Sequence, residues 1–133
     1  MDWQLRYSLH TAEESIDDAL FIRAVVSADG QEGYWEIYDI ETGAENGLRM
    51  DYRKNDGAAE YISIKLASNS EEDQIVYEVN GSQAELVLTN SSGTVTTEIS
   101  WDIHTGVGYI ISNGYNDGQK SCWDESYQNT ACG

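Results

Sequence analysis

Residues 48–66 read LRMDYRKNDGAAEYISIKL, two runs of alternating apolar and polar residues on either side of a turn sequence. In each run every second residue is apolar, as Leu48 and Met50 show in the first. Alternation with a period of two is typical of a strand with one buried face. Residues 55–57 favour a three-residue hairpin loop with glycine in the left-handed conformation. This stretch therefore predicts two antiparallel strands, with Met50 opposite Ile62.

The same alternation continues along most of the chain, and clusters of Gly, Asn, Asp and Ser interrupt it. It indicates about nine strands, over residues 3–9, 19–27, 33–40, 48–53, 61–66, 75–79, 84–89, 94–101 and 106–112. We therefore predict an all-β fold, a single antiparallel meander of about nine strands that forms a sandwich or a barrel. At most one short helix is expected near the N-terminus, over residues 11–20, where Thr11 and Glu14 resemble a capping box.

Two further turn sequences predict the register of the later strands. A two-residue turn at Asn80-Gly81 would place Tyr77 opposite Ala84. A loop over residues 90–93 would set Glu85 directly opposite Glu98, a pairing that is unfavourable for two like charges.

Glu85 and Glu98 are consequently the one candidate catalytic pair in the chain. Two carboxylates about 5 Å apart suit a retaining glycosidase, in which one acts as nucleophile and the other as acid. Alternatively the pair binds a divalent cation, the side chains point apart into water, or the loop has another register.

The charge balance restricts the class of partner. The 133 residues include 24 acidic and 7 basic side chains, for a formal net charge of −17. Nucleic acid and anionic membranes both require cationic contacts, so neither is expected as a partner. Nine tyrosines and four tryptophans distinguish the chain from disordered acidic segments. No apolar run reaches the roughly 18 residues of a membrane span.

The composition changes after about residue 112, which suggests a β domain over residues 1–112 and a polar tail over residues 113–133 packed on the same domain. The tail contains both cysteines, Cys122 and Cys132. A disulfide between them would fix a segment that otherwise frays, and it would indicate an oxidising compartment. We then expect a periplasmic, surface or secreted protein whose signal peptide has been removed. The alternative is two free thiols in a reducing cytosol.

Tyrosine and arginine side chains are expected on one face of neighbouring strands. The candidate ligand-binding residues are Tyr34, Tyr38, Arg49, Arg53 and Tyr61. Tyr and Arg are enriched at binding hot spots, and Arg matches carboxylates with two parallel hydrogen bonds. The alternative is ordinary cross-strand pairing, in which Arg stems pack over Tyr rings on a solvent-exposed face.

Metal and cofactor sites have little support in the sequence. Asp102 and His104 are spaced to face the same way in an extended segment, but no third partner is evident. Calcium is conceivable at three acidic loops, but none has the oxygen spacing of a dedicated calcium loop. These loops contain Asp17-Asp18, Glu71-Glu72-Asp73, and Asn116-Asp117 with Asp124-Glu125. We therefore expect no cofactor and no metal.

These observations favour a non-enzymatic, extracytoplasmic β-domain that binds a protein or a glycan. An acidic inhibitor of immunity type that neutralises a basic enzyme is the first alternative, because dense negative charge steers a cationic partner. A small glycoside hydrolase acting through Glu85 and Glu98 is the second. Adaptation of the surface to a saline habitat would explain the acidity without any partner.

Overall fold

The computed structural model describes residues 1–38, 47–68 and 71–133, and eleven strands account for most of them. The strands are β1 (Asp2–His10), β2 (Ser15–Val26), β3 (Glu32–Ile37), β4 (Leu48–Asn55), β5 (Ala58–Ser68), β6 (Glu71–Asn80), β7 (Gln83–Thr89), β8 (Val95–Asp102), β9 (Gly108–Ser112), β10 (Ser121–Trp123) and β11 (Asn129–Thr130). A single 3₁₀ turn, Asn116–Gly118, is the one helical element of the described residues. Within these residues no helix is long and apolar enough to span a membrane.

Each strand pairs antiparallel with the next one along the chain, in the order β1 to β11. The predicted all-β antiparallel meander is confirmed. The strands form one sheet that is not closed, because β1 and β11 lie at its two edges. The sheet has two strands more than predicted, because β10 and β11 of the polar tail extend it beyond β9. The last two residues of the predicted strand 33–40 lie outside the described residues.

The alternation of the sequence separates the sheet into two faces. Two central rows of the apolar face, those through Trp35 and Tyr52, contain no charged side chain, whereas Asp73 lies opposite Leu66 and the Lys54 ammonium lies 5.4 Å from the centre of the Tyr52 ring. The apolar side chains of this face are those of Trp3, Leu5, Ile22, Ala24, Val26, Trp35, Ile37, Leu48, Met50, Tyr52, Ile62, Ile64, Leu66, Ile75, Tyr77, Val79, Ala84, Leu86, Leu88, Ile99, Trp101, Ile110 and Trp123. The opposite face is called the polar face, and it includes Asp2, Arg23, Glu32, Tyr34, Glu36, Arg49, Asp51, Arg53, Tyr61, Ser63, Lys65, Glu78, Glu85, Glu98 and Tyr109.

The turn between β6 and β7 differs from the prediction. Gly81 and Ser82 form the two-residue loop, and Gly81 has a φ of +65°, as expected at the first position of a type II′ turn. Tyr77 consequently lies opposite Leu86 and not opposite Ala84. The predicted register was wrong by two residues, and a shift of two leaves every side chain on its predicted face.

The hairpin between β4 and β5 shows the same error. Asp56 and Gly57 both have positive φ, so the loop has two residues and not three. A bulge in β5 follows, where Glu60 is the extra residue, and Met50 pairs with Ile64 and not with Ile62. The local turn chemistry was misjudged, but the apolar face was still assigned correctly, because its period is two.

The helix expected over residues 11–20 is absent from the structure, since β2 begins at Ser15. Thr11 does act as a cap: its hydroxyl oxygen accepts hydrogen bonds from the backbone N–H groups of Glu13 and Glu14. These bonds stabilise a tight turn between β1 and β2 instead of a helix. The residues after Glu14 then pair with β1, which satisfies their backbone groups.

Burial is shallow throughout the described residues. The buried apolar residues are Ala24 and Ala84, the buried polar residues are Ser63 and Ser100, and no large side chain is fully buried. The substantial contacts between elements all join neighbours along the chain. The side chains of the apolar face are therefore covered mainly by one another.

The four tryptophans of the chain all lie on the apolar face, in two clusters at its opposite ends. In the first cluster Trp3 and Trp35 flank Ala24, and their ring centroids are 4.8 Å apart. In the second, Trp101 and Trp123 flank a glycine of β9, Gly108. A small residue on the middle strand lets two large rings close over it.

Candidate binding cleft on the polar face

The structure brings together the tyrosines and arginines that the sequence placed on one face. Glu36, Arg49 and Lys65 form one row across β3, β4 and β5. Tyr34, Asp51 and Ser63 form the next row, and Glu32, Arg53 and Tyr61 form the third. These rows contain three acidic and three basic side chains, so the face is locally balanced in charge although the chain is strongly acidic.

Arg49 is held by two carboxylates and an aromatic ring. Its Nε lies 3.0 Å from Asp51 Oδ2 and one Nη lies 2.8 Å from Asp51 Oδ1, a bidentate pair. The other Nη donates to Glu36 Oε1 at 2.8 Å. The guanidinium carbon lies 4.1 Å from the centre of the Tyr34 ring. The Asp51 hydrogen bond is the main reason that the pKa of the Arg49 guanidinium is raised.

Arg53 has a more open environment. Its Nε donates to Glu60 Oε2 at 2.9 Å, and its guanidinium lies 5.5 Å from the centre of the Tyr61 ring. Half of the Arg53 side chain is exposed to solvent. Its remaining N–H groups can therefore reach a ligand with less competition than those of Arg49.

An open cleft of about 470 Å³ lies beside these residues. It is lined by Val25, Val26, Ser27, Glu32, Gly33, Tyr34, Asp51, Tyr52, Arg53 and Tyr61. A Cβ at Gly33 would lie 3.1 Å from the Tyr52 ring, so the glycine lets that ring approach β3 closely. The cleft offers carboxylate acceptors, guanidinium donors and tyrosine side chains within one concave surface.

Three of the five predicted ligand-binding residues, Tyr34, Arg53 and Tyr61, line this cleft. Arg49 and Tyr38 are not among its lining residues, and the hydroxyl of Tyr38 donates to Glu36 Oε2 at 3.0 Å. These two residues therefore belong to the ion-pair network around the cleft.

Two carboxylates of the cleft, Glu32 and Asp51, were not among the candidate ligand-binding residues predicted from the sequence. Each lies directly opposite a residue that was predicted, Glu32 opposite Arg53 and Asp51 opposite Tyr34. The sequence did contain a signal for both carboxylates. Each lies two residues from another residue of the polar face, and side chains at i and i+2 of a strand share a face.

The candidate catalytic pair does not have the predicted geometry. The loop has five residues and not four, and a bulge at Thr96 of β8 shifts the pairing by one residue more, so that Glu98 lies opposite Val87 while Glu85 lies between Glu78 and Ser100. Glu85 and Glu98 are diagonal neighbours on the polar face and not a directly opposed pair. The predicted separation of about 5 Å rested on direct opposition, so it is corrected by this register.

Glu98 instead has a defined partner in Tyr109. The tyrosine hydroxyl donates to Glu98 Oε1 at 2.6 Å, and this bond, together with burial, raises the pKa of Tyr109. The ammonium of Lys120 lies 4.0 Å from the centre of the Tyr109 ring. The Glu98 carboxylate is thus part of a local charge and hydrogen-bond cluster.

Asp102 and His104 lie in one turn. Asp102 Oδ1 accepts hydrogen bonds from the backbone N–H groups of His104 and Thr105. These bonds hold the pKa of Asp102 below its usual range. The turn borders a second cleft of about 350 Å³, whose walls include Trp101 and Trp123.

Several acidic side chains of these loops form local ion pairs or hydrogen bonds. Asp17 lies 3.2 Å from His10, and Asp18 pairs with Arg6 at 3.1 Å. Asp124 Oδ1 accepts backbone hydrogen bonds within its own turn. Residues 71–73 belong to strand β6 and not to a loop as expected, and the side chains of residues 71 and 72 lie outside the described residues. In the part of the chain that the structure describes, no three acidic, histidine or cysteine side chains form a metal-binding group.

The predicted disulfide is present. The sulfurs of Cys122 and Cys132 are bonded at 2.11 Å, and the bond joins β10 to the end of the chain. β11 lies between the two cysteines in sequence and pairs with β10. The covalent link and the two-stranded ladder together hold the C-terminal edge of the sheet.

Comparison with known proteins gives no match to a family model, to a curated protein or to a solved structure.

Proposed function

We propose that this protein is a non-enzymatic, extracytoplasmic binding module that holds a polypeptide ligand in the cleft beside Tyr34, Arg53 and Tyr61. The observation that carries the proposal is this cleft, which combines exposed donors and acceptors with aromatic surface on a face of balanced charge. Arg53 supplies N–H donors, and Glu32 and Asp51 supply acceptors for the N–H groups of a ligand.

A polypeptide suits the cleft better than a glycan. Sugars stack on an uncovered aromatic face, whereas the guanidinium groups of Arg49 and Arg53 already lie over the rings of Tyr34 and Tyr61. Backbone amides and charged side chains of a peptide can instead pair with the mixed charges at the cleft.

The disulfide supports the extracytoplasmic part of the proposal. Disulfides persist in oxidising compartments and are rare where thiols are kept reduced. The Cys122–Cys132 bond closes a short polar segment at one edge of the sheet. Such a bond is an advantage for a domain whose core is as shallow as this one.

The experiment is a selection of ligands from a displayed random-peptide library, with a glycan array as the parallel arm. Binding of each selected peptide is then measured calorimetrically to the wild-type protein, to Arg53→Ala and to Lys120→Ala. Lys120 is the matched control, because it also lies over a tyrosine of the polar face but is remote from the cleft lining.

We expect Arg53→Ala to weaken peptide binding by at least about tenfold, as for a hot-spot arginine, and Lys120→Ala to change it by less than about twofold. Equal effects of the two variants would contradict the assignment of the cleft. Ligands found on the glycan array alone would contradict the polypeptide class.

The acidic-inhibitor function has support of its own. The described ion pairs already engage four arginines with carboxylates, so most of the negative charge is left over for an external cation. Binding of a basic enzyme through this charge should weaken steeply as ionic strength rises. A tight complex that is insensitive to salt would exclude the inhibitor function.

A further inference from the structure

The apolar face of the sheet is not explained by the proposed binding of a ligand. Side chains in one row across it remain markedly exposed: Leu5, Ile37 and Leu66 are 49%, 37% and 44% exposed. Large contiguous apolar surfaces on soluble proteins mark interaction sites. Nothing among the described residues forms a second layer over this face.

The total surface shows that the sheet is less covered than a compact domain. The chain exposes 8925 Å², whereas a compact monomer of 14.8 kDa is expected to expose about 7,000 Å². The excess of about 1,900 Å² is shared by the two faces of the single-layered sheet and its loops, and half of it still exceeds the roughly 800 Å² per partner that a standard stable interface buries. A face of this size is therefore large enough for a stable dimer.

The two edges of the sheet are poor sites for association. The ladder of the edge strand β1 with β2 is interrupted twice, between Leu5 and Arg6 and between Tyr7 and Leu9, where β2 has an extra residue. β11 has only two residues and lies within the disulfide-closed segment. Bulges and short edge strands are the features by which natural sheets avoid edge-to-edge pairing. Contact through a face is therefore favoured over contact through an edge.

The distribution of charge favours a second copy of the chain as the partner that covers the apolar face. The two central rows of the apolar face carry no charged side chain that a charged partner could pair with, and the two charged side chains beside them, Lys54 and Asp73, are of opposite sign. Two stacked sheets lie about 10 Å apart, so face-to-face packing directs both polar faces outward, further apart than the Debye length of about 8 Å in physiological salt. The repulsion between two chains of net charge −17 is then largely screened.

We propose that the apolar face packs against the apolar face of a second copy of this chain, so that two open sheets form one two-layered homodimer. Most residues that line the ligand cleft lie on the polar face and remain accessible in the dimer, whereas two of them, Val26 and Tyr52, belong to the apolar face at the margin of the interface.

The experiment is sedimentation velocity of the full chain over a range of micromolar concentrations, with two variants that place the same lysine on opposite faces. Ile75 and Val76 are neighbours on β6, are both partly exposed, and lie on the apolar and polar faces respectively. Lysine lowers the net negative charge, so any loss of the Ile75→Lys dimer cannot come from added repulsion.

We expect the wild-type protein to sediment at twice the 14.8 kDa chain mass. Ile75→Lys should weaken the dimer by about a hundredfold, because an unpaired ammonium would be buried in an apolar interface. Val76→Lys should weaken it by less than about threefold. Far-ultraviolet circular dichroism checks that both variants keep their strands.

A measurement on the wild-type protein does not depend on whether a variant folds. All four tryptophans lie on the apolar face, so dilution should shift their fluorescence emission to longer wavelength, and the thermal midpoint should fall with dilution. A monomer at every concentration, or equal effects of Ile75→Lys and Val76→Lys, would overturn the proposal. Unchanged emission and an unchanged midpoint on dilution below the measured dissociation constant would overturn it as well.

Discussion

The rings of Trp3 and Trp35 meet edge to face above Ala24, with 4.8 Å between their centroids. Ala24 is fully buried, although it lies on a sheet whose larger side chains are not. Two rings that close over a small residue create a local core within one layer of the sheet. The stability of this end of the sheet should therefore depend on the size of residue 24.

Ala24→Leu should lower the free energy of unfolding by about 1–3 kcal/mol, because the larger side chain separates the two tryptophans. Ala59→Leu is the matched control in the exposed part of the β4–β5 hairpin, and it should change stability by less than about 0.5 kcal/mol. Urea unfolding measures both. Equal losses would show that the tryptophan pair does not depend on the alanine.

Gly108 has the corresponding position between Trp101 and Trp123. A Cβ there would lie 2.4 Å from the Ser100 carbonyl oxygen and 2.5 Å from the Trp123 ring. Gly108→Ala should therefore destabilise the protein by about 1–3 kcal/mol through overpacking. Gly114→Ala places its methyl group in open space and should be nearly neutral. A neutral Gly108→Ala in thermal unfolding would contradict the close packing of Trp123 on β9.

The Cys122–Cys132 bond should account for about 2.5–3 kcal/mol of stability, from the entropy of the ten-residue loop that it closes. The Cys122→Ser/Cys132→Ser variant should lose this amount in urea unfolding while the circular dichroism of the strands persists. Thiol titration of denatured protein should find no thiol before reduction and two after it. Two reactive thiols without reduction would contradict the bond.

The pairing of Arg49 with Asp51 should be measurable in spite of its partial exposure. Lysine cannot form two parallel hydrogen bonds to one carboxylate, so Arg49→Lys should cost about 0.5–1 kcal/mol. A double-mutant cycle with Asp51→Asn should give a coupling energy of the same size. Additive effects of the two substitutions would show that the pair contributes nothing to stability.

The hydrogen bond between Tyr109 and Glu98 should make the free energy of unfolding depend on pH in the alkaline range. The raised pKa means that the folded state holds the tyrosine proton more tightly than the unfolded state. The stabilisation is therefore complete below the unfolded-state pKa of about 10 and is lost as pH rises through the raised folded-state pKa. Glu98→Gln should lower the pKa of Tyr109, measured by NMR titration of its ring.

Glu78→Gln is the control for this titration, because Glu78 is also on the polar face but is not among the causes of the Tyr109 shift. It should leave the Tyr109 titration unchanged. A Tyr109 pKa that is equally lowered by both substitutions would attribute the shift to the general negative charge of the face and not to the Glu98 hydrogen bond.

The sequence was sufficient to predict which side chains share a face, and it was insufficient to predict which residues lie opposite each other. Face assignment depends only on a period of two, so it remained correct for Tyr77 and Met50 when their partners were wrong. The exact pairing depends on loop length and on bulges. Gly81, which the prediction placed second in its turn, is first in the actual one.

The candidate site was predictable in part for the same reason. Tyr34, Arg53 and Tyr61 share a face by alternation, and the structure confirms that they lie together. The role of Arg49 was not predictable, because its engagement by Asp51 and Glu36 depends on side-chain conformations across two strands. The strands β10 and β11 were missed because they have three and two residues, too few to show an alternating pattern.

The open sheet is proposed to bind its ligand at the polar face and to pack its apolar face against a second copy of the chain. Small-angle X-ray scattering of the full chain tests this most directly, because it gives particle mass and thickness together. The account predicts twice the chain mass of 14.8 kDa and a particle two sheets thick, with layers about 10 Å apart. A particle of single chain mass and single-sheet thickness would contradict it.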